Sequence, residues 1–74
     1  MSQKNIHGYI VIYKNNAHKG AEHLAYTLSF DEAFSLFQSA QNSGEAKFED
    51  RVGRNFTLKY KTTGTFLLKK RIGW

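Results

Sequence analysis

Positively charged side chains alternate with large apolar ones in the last third of this chain. In Phe56–Lys61 every second residue is apolar, and the residues between are threonine and lysine. Thr65–Ile72 continues the alternation with further lysine and arginine. Successive side chains of a β-strand point to opposite faces, so the pattern predicts two strands that share one apolar and one basic face. Such a face can contact a negatively charged partner.

The basic residues are unevenly distributed along the sequence. The 74-residue chain has a formal net charge of +5, and eight of its eleven lysines and arginines follow position 46. This clustering indicates a basic surface and favours an anionic partner, with nucleic acid ahead of an acidic protein. The alternative is that the charge serves solubility, because a net charge of about 2–8 is common in small domains.

Two tyrosines of the first predicted strand, His7–Lys14, are expected to extend the basic face. We expect Ile10 and Ile12 to point into the core and Tyr9 and Tyr13 to lie on the open side of the sheet. Tyrosine rings stack on bases while neighbouring cations contact phosphates, an arrangement typical of single-stranded nucleic-acid binding. The predicted nucleic-acid site consists of Tyr9, Tyr13, Arg51, Lys59, Lys61, Lys69 and Arg71.

A protein interface is the alternative use of the same strands. An exposed last strand can pair with another chain by strand addition or in a symmetric dimer. Leu67 and Trp74 are the predicted apolar anchors of that interface, although a Trp74 that folds back onto the core or frays at the chain end is slightly favoured over a Trp74 anchor. In this alternative the chain is an adaptor or inhibitor module that forms a homodimer through its last strand.

Enzymatic chemistry has little support in the sequence. There is no cysteine, which excludes Cys-based zinc sites, and the three histidines have no convincing metal-ligand pattern around them. Ser29, Asp31 and Glu32 are explained by the start of a helix and are not needed as a nucleophile or an acid–base pair. We therefore predict a non-enzymatic protein without a cofactor or a metal.

The predicted elements follow the order ββαβββ. Glu22–Leu28 is predicted to be the second strand, in a hairpin with the first. Ser29 and Glu32 have the spacing of a capping box, and Gly44 is a natural helix terminator. The helix between them has an apolar stripe at i, i+3, i+4 and i+7 spacing, made of Phe30, Ala33, Phe34, Phe37 and Ala40. The third predicted strand has the weakest pattern: Ala46, Phe48 and Val52 alternate with Lys47, Glu49 and Arg51. Gly64 turns the fourth strand into the fifth.

One helix on one face of an antiparallel sheet of about five strands gives a two-layer α+β sandwich. The length suits a single small domain over residues 1–74. No apolar run is long enough to cross a membrane, and nothing resembles a signal peptide. With no cysteine, the expected setting is cytoplasmic, without membrane contact.

Overall fold

A five-stranded sheet with helices against one of its faces forms the molecule, as seen in a computed structural model that describes residues 1–71. The strands are β1 (Ser2–Ile6), β2 (Tyr9–Tyr13), β3 (Glu45–Glu49), β4 (Asn55–Thr62) and β5 (Thr65–Arg71). Their order across the sheet is β1-β2-β5-β4-β3. The predicted two-layer α+β fold with five strands is confirmed.

The sheet is mixed, whereas a purely antiparallel one was predicted. β2 and β5 are parallel neighbours, and every other pair is antiparallel. After β2 the chain crosses the sheet through its helices and begins the β3–β4–β5 meander at the opposite edge. Two reversals within that meander bring β5 beside β2 in the same direction.

β1 was not predicted, although its hairpin turn has a recognisable signal. His7 and Gly8 join β1 to β2 with φ angles of 53° and 91°. Two consecutive positive φ angles are typical of a type I′ hairpin turn, and histidine is among the non-glycine residues enriched in this region. The Asn5 side chain accepts a hydrogen bond from the Gly8 amide at 3.0 Å and stabilises the turn.

The predicted second strand, Glu22–Leu28, is wrong, because this segment is helical. A short 3₁₀ turn (Asn15–Ala17) leads into α1 (His18–Glu22), which continues as a π-helical turn over His23–Thr27. The residues that face the sheet recur at helical spacing and are small, apart from the last: Ala17, Gly20, Ala21 and Leu24. Small side chains contribute little to a hydrophobic pattern, so the more conspicuous alternation of Leu24, Tyr26 and Leu28 suggested a strand.

Small residues allow α1 to lie very close to the sheet. A Cβ atom added to Gly20 would lie 2.6 Å from Cδ1 of the Phe56 ring. Because that ring is fully buried, only glycine allows this approach without a shift of the helix.

The second helix, α2 (Phe30–Ser43), confirms the capping-box prediction. The Ser29 amide donates to Glu32 Oε1 at 2.9 Å, and the Glu32 amide donates to Ser29 Oγ at 3.2 Å. The backbone hydrogen bond from Ser29 holds the pKa of Glu32 below its ordinary value. Gly44 ends the helix with a φ of 93°. The buried stripe is Ala33, Phe37 and Ala40, whereas Phe30 and Phe34 are exposed.

The core lies between the helices and the covered face of the sheet. Phe37 of α2 stacks on Tyr9 at a ring-centroid distance of 4.3 Å and meets Phe66 edge-on at 4.9 Å. Phe56, Leu58 and other fully buried side chains complete this layer. Burial of each such side chain stabilises the fold by about 1.5–3 kcal/mol.

Candidate anion-binding face

The sheet face opposite the helices has a regular grid of side chains, and we call it the open face. Strand register places one row straight across it, in the order Gln3, Ile12, Leu67, Lys59 and Glu45. The next row along β5 contains Lys69, Thr57 and Lys47, and the one after it Arg71, Asn55 and Glu49. The predicted basic face therefore exists over β3, β4 and β5.

Three lysines surround Thr57 near the centre of this grid, and we call them the lysine triangle. Thr57 of β4 lies directly opposite Lys69 of β5 on one side and Lys47 of β3 on the other. Lys59 is two residues further along β4, about 7 Å away in strand geometry. Thr57 is only 7% exposed. The triangle therefore presents three cations around a small buried hydroxyl residue.

Within residues 1–71, the ion pairs lie elsewhere. They join His18 and Lys19 to Glu22, and Arg54 to Asp50. Glu45 is opposite Lys59 in the register but makes no ion pair with it in the described part of the chain. None of the ion pairs within residues 1–71 involves a lysine of the triangle.

An aliphatic strip borders the lysine triangle. Ile12 of β2 is opposite Leu67 of β5, and Ile10 lies two residues before Ile12 on the same face. Ile10 is exposed, while Ile12 and Leu67 are half-buried. Leu67 therefore lies on the basic face, but it is half-buried, whereas an exposed side chain was predicted. The open face combines apolar and cationic surface.

A pocket of about 260 Å³ lies at the end of β2, where β5 continues beyond its last β2 partner. Its described lining includes the basic residues Lys14, Lys69 and Lys70, together with Met1, Asn16, Leu67 and Leu68. Lys14 and Lys70 were not among the predicted site residues. Lys14 precedes a loop, and Lys70 alternates onto the other face of β5, so strand periodicity alone gave no reason to place them beside Lys69.

Arg71 and Lys61 lie at opposite ends of the basic strands. Arg71 is opposite Asn55, and its Nε donates to the carbonyl oxygen of Phe56 at 3.3 Å. Its guanidinium is therefore held against β4. Lys61 is exposed at an irregularity in the β4–β5 register between Tyr60 and Thr62. A bulge of this kind redirects the local side chains, so Lys61 is not part of the regular grid.

The predicted positions of Tyr9 and Tyr13 are wrong. Both point to the covered face: Tyr13 is 5% exposed, and Tyr9 is stacked on Phe37. The register aligns Val11 with Phe66 and Tyr13 with Leu68, which are core residues of β5. β2 is apolar on both sides, so its hydrophobic pattern could not choose between the faces, and the opposite choice inverts every side chain. The ring stacking inferred for these tyrosines therefore has no support.

The predicted position of Arg51 on the open face is also wrong. β3 ends at Glu49, and Arg51 lies in the following loop. It lines a groove of about 150 Å³ with Lys19, Glu22, His23 and Thr27 of the helical segment, and with Asp50, Val52 and Arg54 of its own loop. Arg51 is therefore on the helix side, away from the lysine triangle.

Asp50 organises that loop. Its Oδ1 accepts hydrogen bonds from the amides of Val52 at 3.1 Å and Arg54 at 2.8 Å, and its Oδ2 accepts from Arg54 Nε at 2.7 Å. Burial pushes the pKa of Asp50 upward, but these hydrogen bonds outweigh that effect and leave the pKa below its ordinary value. The ionised carboxylate therefore stabilises this loop, and β3 ends at Glu49 instead of continuing to Val52 as predicted.

The last strand was predicted to be exposed, and this prediction is wrong, because β5 lies inside the sheet. β5 pairs with β2 over Thr65–Leu68 on one side and with β4 on the other. The strands at the sheet edges are β1 and β3. Homodimer formation by pairing of β5 with another chain is therefore blocked over this stretch. Ile72 and Trp74, the predicted strand end and interface anchor, lie outside the described residues.

The three histidines have separate environments. His7 Nε2 is 3.2 Å from the Leu24 carbonyl oxygen, His18 pairs with Glu22, and His23 stacks on Phe48. In the described part of the chain, no three metal-ligating side chains form a group that could hold a metal ion. None of the helices within residues 1–71 is both long and apolar enough to cross a lipid bilayer.

Comparison with known proteins adds no relative. No family model, no curated protein and no solved structure matches this chain. The observations that bear on function are therefore the geometry and charge of the molecule itself.

Proposed function

We propose that this protein is a non-enzymatic binding module whose open face contacts an anionic macromolecule. The lysine triangle is the observation that supports the proposal. The strand register places Lys47, Lys59 and Lys69 around Thr57, and the ion pairs within residues 1–71 involve none of them. Three neighbouring cations on a rigid sheet attract a negative surface and accelerate its association.

An acidic protein surface is the partner class that the open face favours. Its apolar part consists of Ile10, Ile12 and Leu67, and aliphatic side chains beside cations suit a partner that offers both apolar groups and carboxylates.

Nucleic acid is the second candidate, through contacts between phosphates and Lys47, Lys59, Lys69 and Arg71. Tyr9 and Tyr13 cannot stack on bases at the open face, because both rings face the core. Binding of this kind would depend on the phosphate backbone and discriminate little between sequences. A cytoplasmic setting agrees with either partner and stays a prediction.

Fluorescence anisotropy with three labelled probes tests the proposal. The probes are a single-stranded oligonucleotide, a DNA duplex and an acidic amphipathic peptide, each titrated at two salt concentrations. For the duplex, the logarithm of the binding constant should fall with the logarithm of salt by about 0.9 per phosphate contacted. The peptide should lose less affinity, because part of its interaction is apolar. If no probe binds at low salt, the proposal is wrong.

Lys69→Glu and Arg51→Glu provide matched variants. Each changes the net charge by the same amount, but only Lys69 belongs to the lysine triangle, whereas Arg51 lies on the helix side. Lys69→Glu should weaken binding of every anionic probe about tenfold or more, and Arg51→Glu should have a much smaller effect. Equal losses in the two variants would show that the overall charge attracts the probe without a defined site.

A further inference from the structure

β1 presents an unpaired backbone edge within the described part of the chain. It is the first strand in the sheet order and is paired with β2 alone. The Ile10 amide donates to the Gly64 carbonyl oxygen at 2.8 Å, on the side of β2 that is away from β1. Asn5, which is opposite Ile10 in the register, is therefore in a non-hydrogen-bonded pair with it. The same holds for Gln3, two residues earlier, and Ile12. The backbone N–H and C=O groups of Gln3 and Asn5 point outward from the sheet.

Three exposed aromatic side chains form an aromatic ledge beside this edge: Tyr26, Phe30 and Phe34. Tyr26 is 72% exposed and Phe30 55% exposed. The Lys4 ammonium lies 5.0 Å from the centre of the Tyr26 ring, and the His7 ring meets Phe30 edge-on at 5.3 Å. Phe34 stacks on Phe30 at 5.7 Å. The ledge therefore adjoins β1 on the helix side of the sheet.

A second copy of this chain fits the β1 edge poorly. Each ring could bury about 150–250 Å² if it were fully exposed, so the partly exposed ledge offers only a few hundred Å². A stable interface needs about 800 Å² from each partner. Antiparallel pairing of two β1 strands would also bring their Lys4 side chains together on one face, where like charges repel.

A short acidic segment in an extended conformation fits better. Lys4 is the only lysine, arginine, aspartate or glutamate among residues 1–13, and it points to the ledge side together with Ile6. In an added strand, residues i and i+2 would share that side. One of them can place a carboxylate at Lys4, and the other can place an apolar side chain on Phe30.

We propose that β1 accepts an extended acidic peptide as a sixth strand, with a carboxylate at Lys4 and an apolar side chain on the aromatic ledge. The backbone groups of Gln3 and Asn5 supply the hydrogen bonds of strand addition, and the ledge and Lys4 supply the sequence preference. This site is separate from the open face and does not depend on the function proposed for it.

An NMR titration of the ¹⁵N-labelled protein tests the proposal. The probe is an acetylated peptide of about seven residues, a common strand length, in which threonine alternates with glutamate and valine on one face. The reversed order is used as well, so that both strand directions are covered. A control peptide has the same composition but places glutamate and valine on opposite faces. We expect amide shifts at Gln3 and Asn5 and ring shifts at Tyr26 and Phe30, with the control binding more weakly.

Gln3→Pro removes an outward amide without breaking the β1–β2 hydrogen bonds, because proline is accepted on a strand edge. This variant should keep the native spectrum elsewhere and lose about tenfold or more in peptide affinity. Lys4→Glu should weaken binding of the acidic peptide and strengthen binding of a peptide with lysine in place of glutamate. Lys69→Glu, in the open face, should leave these shifts unchanged.

Three results would overturn the proposal: no shifts in β1 with either peptide order at millimolar concentration, shifts that persist in folded Gln3→Pro, or shifts that move to Leu67 and Lys59. The last result would assign the peptide to the open face and so support the proposed function while removing this second site.

Discussion

The two faces of the sheet are built from the same five strands but have opposite chemistry. On the covered face, Tyr9, Phe37 and Phe66 pack ring against ring. On the open face, lysines surround Thr57 next to Ile12 and Leu67. Aromatic residues are thus used for stability, and the open face is left with a cationic and aliphatic surface. A tyrosine near a basic strand is therefore evidence for binding of an anionic partner only when the sheet face on which its ring lies is known.

The strongest test of this contrast is loss of a large side chain from each face. Phe37→Ala should lower the free energy of unfolding by about 3–5 kcal/mol, because it removes a fully buried ring and leaves a cavity. Leu67→Ala, at a half-buried position of the open face, should lower the free energy of unfolding clearly less. Urea denaturation followed by circular dichroism measures both. Similar losses in the two variants would contradict the assignment of a packed and an open face.

The closeness of α1 to the covered face gives the next largest effect. Gly20→Ala places a methyl group against the Phe56 ring and should destabilise the protein by about 1–3 kcal/mol. In a helix without such a contact, the same change stabilises by about 0.5–1 kcal/mol. The sign of the change in the denaturation midpoint therefore decides whether the helix lies as close to the sheet as the structure places it.

The loop that Asp50 organises should make the stability of the protein depend on pH. The pKa of Asp50 is lower in the folded protein than its ordinary value of 3.8, so the unfolded chain binds protons more readily. Stability from this group is complete above about pH 5 and is lost as the pH falls through its folded-state pKa. Asp50→Asn should cost about 1 kcal/mol at neutral pH and flatten the acid dependence, measured by denaturation between about pH 3 and 7.

Glu32 has a pKa shifted in the same direction, so some acid dependence should remain in Asp50→Asn. An unchanged pH profile would show that the Asp50 hydrogen bonds do not contribute to stability.

The smallest expected effect on stability belongs to the open face. Lys69→Glu should change the free energy of unfolding by no more than about 0.5 kcal/mol, because the side chain is exposed. The same variant is expected to lose most of its affinity for anionic probes. A large destabilisation would instead show that Lys69 supports the fold and would weaken the proposed site.

Local signals made part of this fold predictable. The Ser29–Glu32 capping box and the Gly44 terminator mark the ends of α2, and Gly64 takes a φ of 79° at the β4–β5 turn. The alternation in Phe56–Lys61 places Phe56 and Leu58 in the core and Lys59 on the open face. In each case, residues close in the sequence are sufficient to determine the local conformation.

Other parts had signals that were weak or ambiguous. The helical stripe of Ala17, Gly20 and Ala21 carries little hydrophobicity, and the turn at His7 and Gly8 lacks the usual asparagine or aspartate before glycine. Both errors concern the first third of the chain. They cancelled in the strand count, because β1 was missed and one strand was predicted in place of the π-helical turn that follows α1.

The sequence alone determines the class of the fold, the position of α2, and the alternating strands β4 and β5 with their basic face, because capping and periodicity are local properties. The direction of β2, the parallel pairing of β2 with β5 and the position of Arg51 depend on residues far apart in the chain. β2 is apolar on both sides, and contact with Phe37 and Phe66 selects the face that its tyrosines occupy. That long-range contact leaves Ile12 and Leu67, and not tyrosine, beside the lysines of the open face.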